Sequence, residues 1–155
     1  MTPAEPKETL SLTTRQVLAA KPQAVFKLLS DFPAYGAWAP FLTPTPAGKR
    51  AEDGLLDFSI RVGRLPFPVS MAGEIVTRQP ARLIAWRMGG FGVRLLESFR
   101  IDPVPQGARV THTVQCVGGL KGVLGEGLLR TYGDVMRQLD VALARRLTKP
   151  GKVRR

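Results

Sequence analysis

Residues Gly122 to Leu147, GVLGEGLLRTYGDVMRQLDVALARRL, carry the pattern that decides the fold. On a 3.6-residue period Leu124, Leu128, Leu129, Tyr132, Val135, Met136, Leu139, Ala142, Leu143 and Leu147 fall on one broad side. Arg130, Asp134, Arg137, Gln138 and Arg145 fall on the other. The spacing predicts one amphipathic helix. At ~1.5 Å per residue it runs roughly 39 Å, so its apolar side needs a wide cover, and a curved sheet is the natural one.

Upstream of that helix the chain supplies the strands. Leu56, Phe58, Ile60 and Val62 alternate with Leu55, Asp57, Ser59 and Arg61, the period-2 pattern of a half-buried strand. Val69, Met71, Gly73 and Ile75 repeat the pattern against Ser70, Ala72, Glu74 and Val76; Ile84, Trp86 and Met88 give the apolar side of the next strand. Val93, Leu95, Glu97, Phe99 and Ile101 oppose Arg94, Leu96, Ser98 and Arg100, and Val110, His112, Val114 and Cys116 oppose Arg109, Thr111, Thr113 and Gln115. Turns fall at 79–82, 89–92 and 102–107. Before all of these, Leu10, Leu12, Thr14, Gln16 and Leu18 can share one side of a first strand within Glu8–Ala20. Lys21-Pro22-Gln23 then opens a short helix with proline in its first turn, ended by Ser30-Asp31. Pro33 starts and Pro40 ends a second short helix, so the two make a V, and Thr43 to Gly48 reads as a proline-rich loop. Segregated strands and helices predict an α+β fold with an antiparallel sheet curled around the long helix.

Composition narrows the class. The 155 residues are 44% hydrophobic and 23% charged, as in soluble globular domains, and their length predicts one domain over 1–148 followed by a basic tail, 149–155. The first eight residues hold two prolines and no apolar run, and no apolar stretch reaches ~18 residues, so a cytoplasmic protein is expected. A lone Cys116 in a strand pattern reads as a small buried apolar group, not a catalytic thiol. Lysine and arginine number 23 against 12 acidic residues, a net +11 that attracts anionic partners such as RNA or an acidic membrane surface, with the basic tail as the candidate contact. The same tail also complements a helix C-terminus.

In this order of elements, four local stretches resemble the SRPBCC superfamily, the START-like, helix-grip proteins that include polyketide cyclase/dehydrase-like members. They are Pro22-Gln23-Ala24-Val25-Phe26, the Phe32-to-Phe41 cluster FPAYGAWAPF, Pro80-Ala81-Arg82-Leu83, and Gly107-Ala108-Arg109-Val110-Thr111. The resemblance spans roughly Glu8 to Leu147. Where the family commonly has asparagine before the second proline of the cluster, this chain has Ala39. The resemblance implies a curved antiparallel sheet wrapped around the C-terminal helix, with an apolar or amphipathic molecule held between the two.

His112, the only histidine, stands among apolar neighbours, and a hairpin centred near Pro105 and Gln106 places it opposite Phe99 and diagonal to Glu97. A carboxylate on that inward side needs a partner: His112, an arginine, water or a ligand. Three readings stay open: a satisfied buried pair that only packs, a polar contact in a pocket, or acid–base catalysis. Phe58, Ile60, Trp86, Glu97, Phe99, His112, Val114, Tyr132 and Met136 are the candidate ligand-lining set, since small-molecule sites are mostly apolar with few polar points. No nucleophile motif, phosphate-binding glycine fingerprint or metal-ligand set is present in the sequence, so no catalytic residue, cofactor or metal is assigned. Binding or transport of a lipid- or polyketide-like molecule is the leading expectation. The alternatives are a polyketide cyclase/aromatase-like enzyme and a START-like protein that meets RNA, the ribosome or membrane through its basic surface.

Overall fold

The computed structural model describes residues 10–46, 54–90 and 92–148. Strand β1 (Leu10–Leu18) leads to helix α1 (Pro22–Ser30), a 3-10 turn (Phe32–Ala34) and helix α2 (Tyr35–Trp38). Six strands follow: β2 (Leu42–Pro46), β3 (Leu55–Ile60), β4 (Val69–Gln79), β5 (Leu83–Gly90), β6 (Val93–Val104) and β7 (Gly107–Val117). Helix α3 (Glu126–Thr148) closes the described chain. The seven strands form one antiparallel sheet in the order β1-β7-β6-β5-β4-β3-β2, so β2 to β7 meander and β1 returns to pair with the last of them. This is the helix-grip fold.

Two features bend the sheet toward the helix. A register shift between Ile75 and Thr77 puts a bulge in β4, which raises the local twist. Next to it Gly73 has no room for a side chain: a Cβ there would lie 2.5 Å from the Arg87 carbonyl and 2.7 Å from the Phe58 ring. The concave face is lined by the residues that the alternation singled out, including Leu56, Phe58, Ile60, Trp86, Met88, Leu95, Phe99, Val110 and Val114, all buried. Leu129, Tyr132, Val135, Met136, Leu139 and Leu143 cover them from α3.

Helix α3 runs alongside β1. Gly125 sits under Leu10 and Cys116, Gly133 lies against Leu12, and Asp140 reaches Thr14 and Gln16. Cys116 is buried.

Two local readings change. The long helix starts later than its apolar period suggests, because Lys121–Gly125 winds as a π-type turn before Glu126. The wider i→i+5 winding shifts the phase, so Leu124 leaves the apolar side and is 47% exposed. The proline-rich 42–46 segment is a strand, with Pro44 opposite Phe58 and Pro46 opposite Leu56. It is an edge strand, where a missing N–H can face outward without breaking the ladder. The basic tail 149–155 lies outside the described residues.

Candidate ligand-binding site

The sequence-derived candidates converge on one layer between sheet and helix. Phe58 and Ile60 come from β3, Trp86 from β5, Glu97 and Phe99 from β6, His112 and Val114 from β7, and Tyr132 and Met136 from α3; none is more than 3% exposed. The hairpin register is the expected one, with Phe99 opposite His112 and Glu97 opposite Val114. The Phe99 and His112 rings stack at 4.0 Å.

Glu97 is the centre of a polar network inside this apolar layer. Its Oε1 accepts hydrogen bonds from Trp86 Nε1 (3.0 Å) and from the Tyr132 hydroxyl (2.6 Å). Its Oε2 meets His112 Nε2 at 2.6 Å, and the other ring nitrogen, Nδ1, meets Asp140 Oδ1 at 2.6 Å. The Thr14 hydroxyl donates to Asp140 Oδ2 (2.6 Å), and the Gln16 amide donates to the Asp140 carbonyl (3.1 Å). Burial alone pulls the imidazole down, but hydrogen bonds to Asp140 and Glu97 and their two charges outweigh it and push His112 up to about 9. At neutral pH it is therefore an imidazolium that donates from both nitrogens, which is how one cation keeps two carboxylates tolerable in a low-dielectric interior. Burial first, and then the adjacent Glu97 charge, hold the Tyr132 hydroxyl well above the usual phenol range, so it stays a donor.

Asp140 escaped the sequence reading. Its signal was present in two places: Tyr132, Met136 and Asp140 repeat every four residues along one ridge of the helix, and Thr14 and Gln16 are polar residues on the inward side of the first strand. Polar side chains facing a core require a polar partner, and Asp140 is that partner.

A second feature lies where the V meets α3. An open groove of about 830 Å³ runs between Trp38, Pro40 and Phe41 on one wall and α3 residues from Arg137 to Arg146 on the other. Val141 and Ala142 add to the apolar lining of Trp38 and Phe41; Arg137, paired with Asp134 at 2.6 Å, and Arg145 and Arg146 supply cations along the helix wall. The Trp38 indole N–H is buried and has no acceptor among the described residues. From Trp38 an aromatic path leads inward through Tyr35 (4.8 Å between ring centres), Phe32 (5.9 Å), Trp86 (5.9 Å) and Phe99 (5.6 Å) to His112. The groove and the buried network are thus the two ends of one chain of tilted and edge-on ring contacts.

Among the described residues no group of three or more His, Cys, Asp or Glu side chains is arranged to hold a metal ion. No helix among them is long and apolar enough to cross a membrane.

Residues 9–148 match the family described as polyketide cyclase / dehydrase and lipid transport. The chain belongs to that family. Among solved structures it is similar to the Zhui aromatase/cyclase from a Streptomyces species, with a TM-score of 0.71 at 16% identity over 94% of this chain and 97% of that one. It is also similar to a START superfamily protein from Mycobacterium smegmatis, with a TM-score of 0.69 at 17% identity over 91% and 97%. The di-domain ARO/CYC StfQ from the steffimycin biosynthetic pathway gives a TM-score of 0.66 at 9% identity, over 92% of this chain and 52% of that one. At these identities the likeness is one of fold. No curated protein matches the sequence.

Proposed function

We propose that this family member binds or carries an apolar or amphipathic small molecule, lipid- or polyketide-like, in the space between the V, the sheet and α3. The observation that carries the reading is the groove: its volume lies in the range of small-molecule sites, and its apolar lining with cations along the helix wall suits a molecule with an oily body and an acidic end. The family description, which names lipid transport, supports the same class of ligand. The apolar body lies on Trp38, Phe41, Val141 and Ala142. Phe58, Ile60, Trp86, Glu97, Phe99, His112, Val114, Tyr132 and Met136 form the deep end, which a ligand reaches only if the V and α3 part, because these side chains are buried as they stand.

Native mass spectrometry of freshly purified protein tests the first point, with a co-purified apolar mass as the expected result. Titration with oleate or with a polycyclic aromatic acid, read through tryptophan emission, tests the second. Saturable quenching should vanish in Ala142→Trp, which fills the groove, and survive in Val17→Thr, an exposed position on β1 away from it. No co-purified mass together with no saturable quenching overturns the proposal.

The second reading is a cyclase-type enzyme, favoured by the chain of proton-bearing groups from Asp140 through His112 and Glu97 to the Tyr132 hydroxyl. Such a chain handles protons when it reaches a substrate carbonyl. Both Glu97 oxygens are already engaged, so binding ranks ahead of catalysis. Unchanged turnover of a ketide substrate in Glu97→Gln and His112→Gln removes this reading.

A further inference from the structure

Nine large apolar side chains among the described residues are exposed, and five of them lie in two connections of the fold. Leu65 and Phe67 (60% exposed) belong to the 61–68 loop between β3 and β4; Leu120, Val123 (80% exposed) and Leu124 belong to the 118–125 segment between β7 and α3.

The sheet register brings these two connections to one rim. Ile60 pairs with Val69, Gly73 with Met88, Gly90 with Val93, and Arg94 with Val117, so the exit of β3, the turn from β5 to β6 and the exit of β7 share one end of the sheet. At ~4.8 Å per strand the two apolar tips stand roughly 15–20 Å apart along that rim. Leu120 is tied to the turn between them: its N–H donates to the Gly92 carbonyl (2.8 Å), and its side chain packs where Gly92 lacks a Cβ.

The charge within the two connections is one-signed, and the exposed Glu126 that follows the second has Arg130 at 3.9 Å. The 61–68 loop carries Arg61 and Arg64, the 118–125 segment carries Lys121, and neither holds an acidic residue. Exposed apolar side chains clustered beside cations are the pattern of a surface that meets the headgroup layer of a bilayer, with rings and aliphatic chains entering the acyl boundary while cations meet phosphates. A second copy of a chain with net charge +11 fits the same rim poorly, since like charges would face each other.

We infer that this rim, with Phe67 and Leu65 in one loop and Leu120, Val123 and Leu124 in the other, docks the protein on an anionic lipid surface. The docking is independent of the groove beside Trp38 and of the basic tail.

The test uses full-length protein and vesicles of phosphatidylcholine alone or with about a third phosphatidylglycerol, by flotation. Binding is expected to the anionic vesicles, to weaken as salt rises, and to fall at least tenfold in the double variants Phe67→Ser/Val123→Ser and Arg61→Glu/Arg64→Glu, whose exposed positions leave thermal unfolding unchanged. Phe67→Trp should be quenched by lipids brominated near the carbonyl end of the chain. Replacing Lys149, Lys152, Arg154 and Arg155 together by glutamine should leave most of the binding. No binding to anionic vesicles, no bromolipid quenching, or loss that follows the tail replacements and not the rim variants overturns the inference. So does a wild-type dimer in sedimentation equilibrium that Phe67→Ser/Val123→Ser abolishes, which would make the rim a self-association surface.

Discussion

Raising the pH from 6.5 to 9 should remove roughly 3 kcal/mol of folding stability, mostly through His112. The side chain is 1% exposed between Glu97 and Asp140, and those contacts raise it from 6.5 to about 9. Because the folded value is the higher one, the stabilisation is fully present below the unfolded value near 6.5 and is lost as pH rises through 9. At ~1.36 kcal/mol per unit the total is about 3 kcal/mol, with the steepest loss, about 1 kcal/mol per pH unit, between 7 and 8.5. For a domain of this length that corresponds to a fall in Tm of about 6–12 °C. Urea unfolding at pH 6.5, 7.5 and 8.5 and constant ionic strength, followed by tryptophan emission, measures the slope. Burial also raises the Cys116 thiol, and that contribution has the same sign, but it begins near its unfolded value of ~8.5, so it enters only at the top of the range. A Cys116→Ala background removes it. Since the chain has one histidine, its ring proton resonance reports the folded value without assignment. A resonance that titrates near 6.5, or a wild-type stability that is flat over this range, refutes the network as described.

Three further perturbations probe the same construction by urea unfolding. Glu97→Ala leaves the His112 cation, the Trp86 N–H and the Tyr132 hydroxyl without their shared acceptor and should cost about 3–5 kcal/mol, whereas Glu97→Gln, which keeps one acceptor oxygen, should cost about 1–3 kcal/mol. Thr14→Val removes the hydroxyl that donates to Asp140 and should cost about 1.5–3 kcal/mol, with Thr14→Ser recovering most of it. Gly73→Ala drives a methyl group into the Arg87 carbonyl and the Phe58 ring and should cost about 1–3 kcal/mol, with a near-ultraviolet dichroism change as β4 shifts.

The fold was legible because its signals were periodic and long. Five strands alternated cleanly, the last helix kept its period for over twenty residues, and Pro22, Pro33 and Pro40 marked the V. The hairpin centred near Pro105 even placed Phe99 opposite His112, since the alternation forbids one-residue slips and the position of the turn selects among the remaining registers. What stayed hidden was set by contacts between distant segments. Asp140 lies 28 residues from His112 and 126 from Thr14, and an acid on a mixed helix face looks solvated until the strand beneath it is known. Strand β2 was masked by Pro44 and Pro46, which are compatible with a strand only because it is at the edge, a fact of topology rather than of local propensity. The groove beside Trp38 depends on how the V docks, and nothing in the local pattern of either segment encodes that distance.

The two sides of α3 are held by different physics, and this decides how the grip can open. On the β1 side the helix is pinned by directional contacts: His112 and Thr14 on the Asp140 carboxylate, Gln16 on its carbonyl, and the glycines 125 and 133 that let Leu10 and Leu12 approach closely. On the V side the contact is apolar, it borders the groove, and the Trp38 N–H there has no acceptor among the described residues. Shifting α3 on its β1 side breaks several charged hydrogen bonds at once, at about 1.5–3 kcal/mol each, while parting it from the V breaks none of them. On the proposed binding function, a ligand entering from the groove would therefore meet its lowest resistance by parting the V from α3, along the ring contacts from Trp38 toward Trp86, with the Glu97–His112–Asp140 network holding the other side of the helix.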